Sequence, residues 1–183
     1  MSTTEFNDLA GTWHDFYLTA GAAAATLVGL LFVGVSINID AFTPAEDNGL
    51  RLLAEQAFSN FVFVLLIALF VLIPNQGPTS LTIELAVVGV LGLVRIARRA
   101  TAFRRMGKDT LGGWRYVLRR LGLAGLAGVA LILVAWAMTS NPITAFFWLL
   151  TVVLIYLTSA ADSAWDLLIE VGRERRQGDG SGR

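Results

Sequence analysis

Apolar residues run along this chain in blocks separated by short polar or charged breaks, and five blocks are long enough to cross a membrane. They are Phe16–Ile39, Ala57–Ile73, Thr79–Ile96, Leu121–Met138 and Ile143–Ala160. A helix crossing the hydrocarbon core needs about 20 mostly apolar residues, within a range of roughly 17–25. The pattern therefore predicts an all-α fold, a polytopic transmembrane helix bundle of five spans occupying residues 16–172. All four prolines fall at span boundaries and none interrupts an apolar block. Thr43-Pro44 has the form of an N-cap followed by proline at the first helical position, which predicts a helix from Pro44 to Ile73. Arg51 and Glu55 lie one turn apart near its start and suit an ion pair on a wetted face. The uncharged segments Pro74–Pro78 and Thr139–Pro142 predict tight turns between antiparallel helices. The last helix is expected to run on into Arg173–Arg176. The segment QGDGSGR at 177–183 has linker composition, so the tail 173–183 is expected to end in disorder.

Composition agrees with a lipid setting. Hydrophobic residues make up 55% and charged residues 15% of the chain, and the mean hydropathy is +0.64. A soluble domain would carry roughly a quarter charged residues. Charge is also segregated. The stretch 95–120 holds nine of the fourteen Lys and Arg residues and a single acid, Asp109. Lys and Arg accumulate in cytoplasmic loops, so this stretch is expected to be a basic inner loop. With it inside, Arg51 and the four arginines of the tail fall inside as well, and no cation falls outside. The expected topology is N-terminus out and C-terminus in. Residues 1–15, acidic and without Lys or Arg, form an extracytoplasmic segment in that arrangement. The alanines of Ala20–Ala25 precede the first apolar core, the reverse of a signal-peptide cleavage site, so the first span is expected to be retained. The absence of cysteine excludes disulfides, thiolate chemistry and Cys-based metal sites.

Candidate chemistry is sparse. Gly21, Ala25 and Gly29 recur every fourth residue, and Gly122, Gly125 and Gly128 every third, accompanied by Gly89 and Gly92 in the third span. Small residues at such spacing let helix backbones approach closely, within one subunit or in a homo-oligomer. Asp162, Asp166 and Glu170 follow at four-residue steps on one helix face, and Arg95, Arg98 and Arg99 end the third span at similar depth. Charges near lipid pair or face water, so ion pairs between the two sets are expected, with Asp40 and Glu55 as further partners. A cation-binding vestibule or a docking patch for a partner protein is the alternative. Ser36, Asn38, Gln56, Ser59 and Asn60 form a polar group that either hydrogen-bonds between helices or lines a pore. Glu84, the one acid within the third span, either reaches the interface or forms an acidic ring in an oligomeric channel. Arg104, Arg105 and Lys108 suit anionic lipid headgroups. His14 beside Asp15 is too little for a metal site. No P-loop, glycine-rich nucleotide motif or paired buried histidines occur, and the basic loop is too short for a nucleic-acid module. No enzyme, cofactor or nucleic-acid partner is expected.

The stretch WHDFYLTAGAAAATLVGLLFVGVSINI, from Trp13 to Ile39, resembles the start of a family of small bacterial integral membrane proteins. In that family a Trp-His-Asp-Phe-like opening leads into a Gly-Leu-Leu-Phe-Val…Ser-Ile-Asn first span, and the span layout is similar across most of the chain. The resemblance implies a multi-pass protein of the bacterial inner membrane. Some of these relatives are labelled modulators of a membrane-anchored AAA protease, which implies a larger membrane protein as partner. The resulting expectation is a structural, assembly or modulatory role with self-association in the bilayer. An oligomeric ion channel lined by polar residues of the first two spans comes second. A small secondary transporter comes third, because no span is broken at its middle and no inverted repeat is visible.

Overall fold

The helices follow the apolar blocks but overrun them. A computed structural model describes the backbone of residues 2–39, 48–105 and 111–180, and their side chains except 48–50, 52, 99–105, 111–121, 123, 124, 170 and 173–180. The helices are α1 (Thr3–Thr12), α2 (His14–Ile37), α3 (Asn48–Val71), α4 (Pro78–Arg105), α5 (Leu111–Ser140) and α6 (Pro142–Gly180). No strand occurs among the described residues. Four segments are long and apolar enough to cross a membrane: His14–Ile37, Leu53–Val71, Pro78–Arg98 and Pro142–Ile169. The fourth apolar block falls within α5, where the apolar stretch among described residues is the shorter Gly125–Ser140.

Three boundaries differ from expectation. The stretch 95–120, expected as a loop, is for the most part helical. α4 carries its first eleven residues to Arg105 and α5 takes it up again at Leu111, leaving only 106–110 outside the description. Arg, Ala and Leu are good helix formers, and extending an existing helix adds one hydrogen bond per residue fixed. For the same reason α6 continues to Gly180, through most of the tail whose composition suggests disorder. The third difference is α1, which makes the segment 1–15 mostly helical. Ser2 and Glu5 form a capping box: the Glu5 amide donates to Ser2 Oγ at 3.3 Å, and the Ser2 amide to Glu5 Oε2 at 2.7 Å. The bond from the Ser2 amide, with a smaller contribution from the Ser2 side chain, favours the charged carboxylate and holds the Glu5 carboxyl below its usual range. Thr43-Pro44, Asp40 and Lys108 lie outside the described residues.

The expected tight turns are present. Ile73-Pro74-Asn75-Gln76 reverses the chain after α3, with Asn75 at φ 56°. Asn tolerates this left-handed conformation better than other residues with a side chain. Proline before it suits the first central position of a type II turn. Asn141 alone separates α5 from α6, and its Oδ1 accepts from the Thr144 amide at 3.3 Å. Pro142 occupies the first helical position, where no amide is needed.

The helices α3, α6, α5 and α4 pack in that cyclic order, α4 closing weakly on α3, and α2 lies outside the ring against α3. Side-chain pairings show neighbours running antiparallel. Asn60 meets Ser159 and Phe63 meets Tyr156 between α3 and α6, while Gly89 meets Ile132 and Leu93 meets Gly128 between α4 and α5. The core is continuous through the ring, with Ile67, Leu85, Leu131, Phe146 and Leu149 fully buried. The outside is also apolar, with Phe32, Leu126, Leu133, Trp136 and Leu168 each at least 59% exposed. In water so extensive an apolar coat would drive aggregation. In a bilayer it is the surface that meets lipid.

Candidate functional site

Polar side chains are concentrated at the end of the ring opposite the Asn75 and Asn141 turns. Gln56, Asn60 and Phe63 share one face of α3, and all three are turned inward. Gln56 is 3% exposed, Asn60 3% and Ser59 6%. The Asn60 amide donates to Ser159 Oγ at 3.1 Å, and Ser163, fully buried on the next turn of α6, donates to the Ser159 carbonyl at 2.7 Å. Arg95 reaches in from α4, its Nη2 donating to the Glu55 carbonyl at 3.2 Å. The Ser59 hydroxyl donates to the same carbonyl. The cluster therefore joins α3, α4 and α6 by side chain, while Ser59 and Ser163 donate within their own helices.

Within one subunit the residues expected to line a pore lie apart. Gln56, Ser59 and Asn60 belong to this buried cluster, whereas Ser36 is exposed on α2 and Asn38 donates its side-chain amide to Gly34 of its own helix at 2.8 Å. Glu84 sits half-buried near the other end of the ring and accepts from Gln76, pinning the α3–α4 turn to α4. α2 stands outside the ring, so within one subunit its polar residues and those of α3 lie in different surroundings.

Of the residues expected to form an ion-pair network between α4 and α6, Arg95 is placed elsewhere. Arg95 turns to the α3 backbone and not to the carboxylates of α6. α4 packs against α5 and α3 and faces α6 across the ring, which leaves the α3 backbone the nearer partner for this guanidinium. Arg98 and Asp162 are exposed and Asp166 is half-buried, while the side chains of Arg99, Glu170, Arg104 and Arg105 are outside the description. The expected Arg51–Glu55 pair forms, at 3.1 Å on a solvated face. His14 Nδ1 lies 3.0 Å from Asp15 Oδ1, also exposed. Among the described residues no group of three His, Asp or Glu side chains could hold a metal ion.

The small residues divide sharply. A Cβ at Gly21 would stand 2.9 Å from the Ala68 Cβ, one at Gly89 2.7 Å from Ile132 Cγ1, and one at Gly128 3.1 Å from Leu93 Cδ2. These glycines seat α2 on α3 and α4 on α5. Gly29, Gly122 and Gly125 meet no atom within 4 Å, and Ala25 is exposed. The buried stripe of α2 is Tyr17, Ala20, Gly21 and Ala24, which leaves the Ala25–Gly29 side of the helix open. Of the α2 span 17% is buried, against 56% for α3.

Two features escape a hydropathy reading. At the turn end, α1 is seated by an aromatic cluster: Phe6, 1% exposed, packs on Phe146 at 6.0 Å between ring centroids, and Trp13 stacks on Phe146 at 5.9 Å and 11°. Ser2-x-x-Glu5 followed by Phe6, Leu9 and Trp13 at helical spacing was the available signal. At the other end α2 and α6 leave an apolar cleft of about 420 Å³, walled by Leu27, Leu31 and Gly34 on α2, Phe61 on α3, and Trp165 and Leu168 on α6.

No family model matches this chain, and no curated protein or solved structure matches it.

Proposed function

We propose that this protein is a five-span bacterial inner-membrane protein, N-terminus out and C-terminus in, that self-associates through α2 and serves a structural or modulatory role. The observation that carries the proposal is the openness of α2. A helix bound mainly along one narrow stripe, with Ala25 and Gly29 bare on another side, leaves a close-approach surface unused within the subunit. The ring α3–α6–α5–α4 supplies a rigid body that presents α2. Asn60, Asn38 and Glu84, three of the residues that would line a pore, are engaged within the subunit, which favours this reading over a channel. A larger membrane protein of the kind implied by the family resemblance is the alternative occupant of the same face.

The native chain has no cysteine, so single cysteines report contacts without background. Ala25→Cys and Gly29→Cys should form disulfide-linked dimers in native membranes under mild oxidation, and Leu133→Cys on the far side of the ring should not. Adding Gly29→Leu to Ala25→Cys should abolish the dimer without lowering the monomer's melting temperature, because a Cβ at Gly29 would meet no atom within 4 Å and leucine is the better helix former. Equal cross-linking from α2 and from Leu133 would sink the proposal.

A further inference from the structure

Helix α2 is seated only along its first half: Tyr17, Ala20, Gly21 and Ala24 are buried, and no residue of the helix after Ala24 is. Past that point the apolar cleft of about 420 Å³ lies between α2 and α6. It runs from Leu27 to Asn38 on α2 and from Ala161 to Val171 on α6, about 15–17 Å at 1.5 Å per residue. Half the hydrocarbon core of a bilayer is about 15 Å thick. Phe61, which lines the cleft from α3, stands near the middle of the Leu53–Val71 span, so the cleft reaches from mid-membrane toward one surface. Its length and depth are those of a single leaflet.

Apart from the Trp165 indole, Asn38 is the one polar side chain lining the cleft among the described residues, and its amide is spent on the Gly34 carbonyl at 2.8 Å. A water molecule needs two to four polar partners, so this lining does not hold water. A helix of another chain, about 10–12 Å across, would fill about 1,200 Å³ or more over the same length, well beyond the cleft. A single hydrocarbon chain, about 4–5 Å wide given carbon contacts of 3.5–4.0 Å, fills about 200–300 Å³ and fits. Charge complements it at the mouth. Ala164, Leu168, Val171 and Arg175 recur on one face of α6, so the lining stripe runs on into a cation about 6 Å past Val171, at the depth of the headgroup layer. Asp162, Asp166 and Glu170 follow the opposite side of the helix. Trp165, 66% exposed at the cleft, has the amphipathic ring that favours this interface. We propose that the cleft takes up one acyl chain of a diacyl phospholipid, with the phosphate at the Arg175 end. The chain supports the unseated half of α2 against α6. This site requires a membrane setting and does not depend on self-association of α2.

The test is native mass spectrometry of the full chain released from detergent micelles doped with phosphatidylglycerol. One phospholipid per chain should survive collision energies that strip the micelle. Diacylglycerol with the same acyl chains lacks the phosphate and should be retained about fivefold less, the effect of one surface cation on a headgroup. Arg175→Gln should lower phosphatidylglycerol retention to the diacylglycerol level. Gly34→Phe fills the cleft from α2 and should lose the lipid, and a Cβ at Gly34 meets no atom within 4 Å. Should that variant fail to fold, Arg175→Gln decides. Gly29→Leu alters the other side of α2 and should keep the lipid, so a failure of self-association leaves the result standing. Undiminished lipid on folded Gly34→Phe, or equal retention of phosphatidylglycerol and diacylglycerol, would overturn the proposal. Loss of a second copy of the chain in place of a lipid on Gly34→Phe would assign the cleft to a protein and overturn it as well.

Discussion

A methyl group added at Gly89 would stand 2.7 Å from Ile132 Cγ1 and 3.2 Å from the Gly128 carbonyl oxygen, and the latter is backbone with little freedom to yield. Overpacking of this kind typically costs about 1–3 kcal/mol. Gly89→Ala should therefore lower the melting temperature in detergent, whereas Gly122→Ala, with no atom within 4 Å, should be neutral or better. Equal effects of the two substitutions would contradict the α4–α5 contact. Along the chain the two residues look alike, each a glycine in a small-residue stripe. Their difference comes from what the neighbouring helix places opposite, and no spacing rule within one helix contains that. Arg95 teaches the same lesson. The charge pattern made the α6 carboxylates its natural partners, but the ring order, with α4 beside α3, brings it to a carbonyl on α3.

Among the elements, α2 to α6 were legible because apolar block length and proline position both mark helix ends, as Pro78 and Pro142 do here. α1 was less legible, since a ten-residue amphipathic helix is overshadowed by the long apolar block beside it. Its capping box makes a sharp prediction. Ser2→Ala removes the side-chain acceptor of the Glu5 amide, a change worth about 1 kcal/mol at an N-cap. Amide hydrogen exchange across residues 3–12 should accelerate several-fold while exchange in α3 stays unchanged. Acid should act similarly. The folded state lowers the Glu5 pKa from its ordinary 4.5, so the cap's contribution is complete above that value and fades as pH falls through the lowered one. Glu5→Gln should flatten this pH dependence of α1 exchange.

At the scale of the whole molecule, hydropathy identified segments able to cross a membrane but not their neighbours, because apolar blocks are nearly interchangeable to such a measure. The ring order is set by smaller cues: the Gly89–Gly128 notch, the Asn60–Ser159 bond, and the bulk of Phe63 against Tyr156. The proposed topology has its own test. A cysteine at Asn75 should react with a membrane-impermeant maleimide added outside intact cells, and one at Gly180 should react only after the membrane is opened. The reverse pattern would invert the orientation, and labelling of both from one side would require an even number of spans.

The stacking of Trp13 and Phe6 on Phe146 joins residues about 140 positions apart. During synthesis α1 leaves the ribosome well before α6 exists, so the Phe146 ring that its Phe6 and Trp13 rest on is missing until the last long helix is inserted. The first helix made is the last to be seated, and its docking marks a finished molecule. A truncated or stalled chain would display that helix loose, its aromatic side chains bare to whatever quality-control protease surveys the membrane.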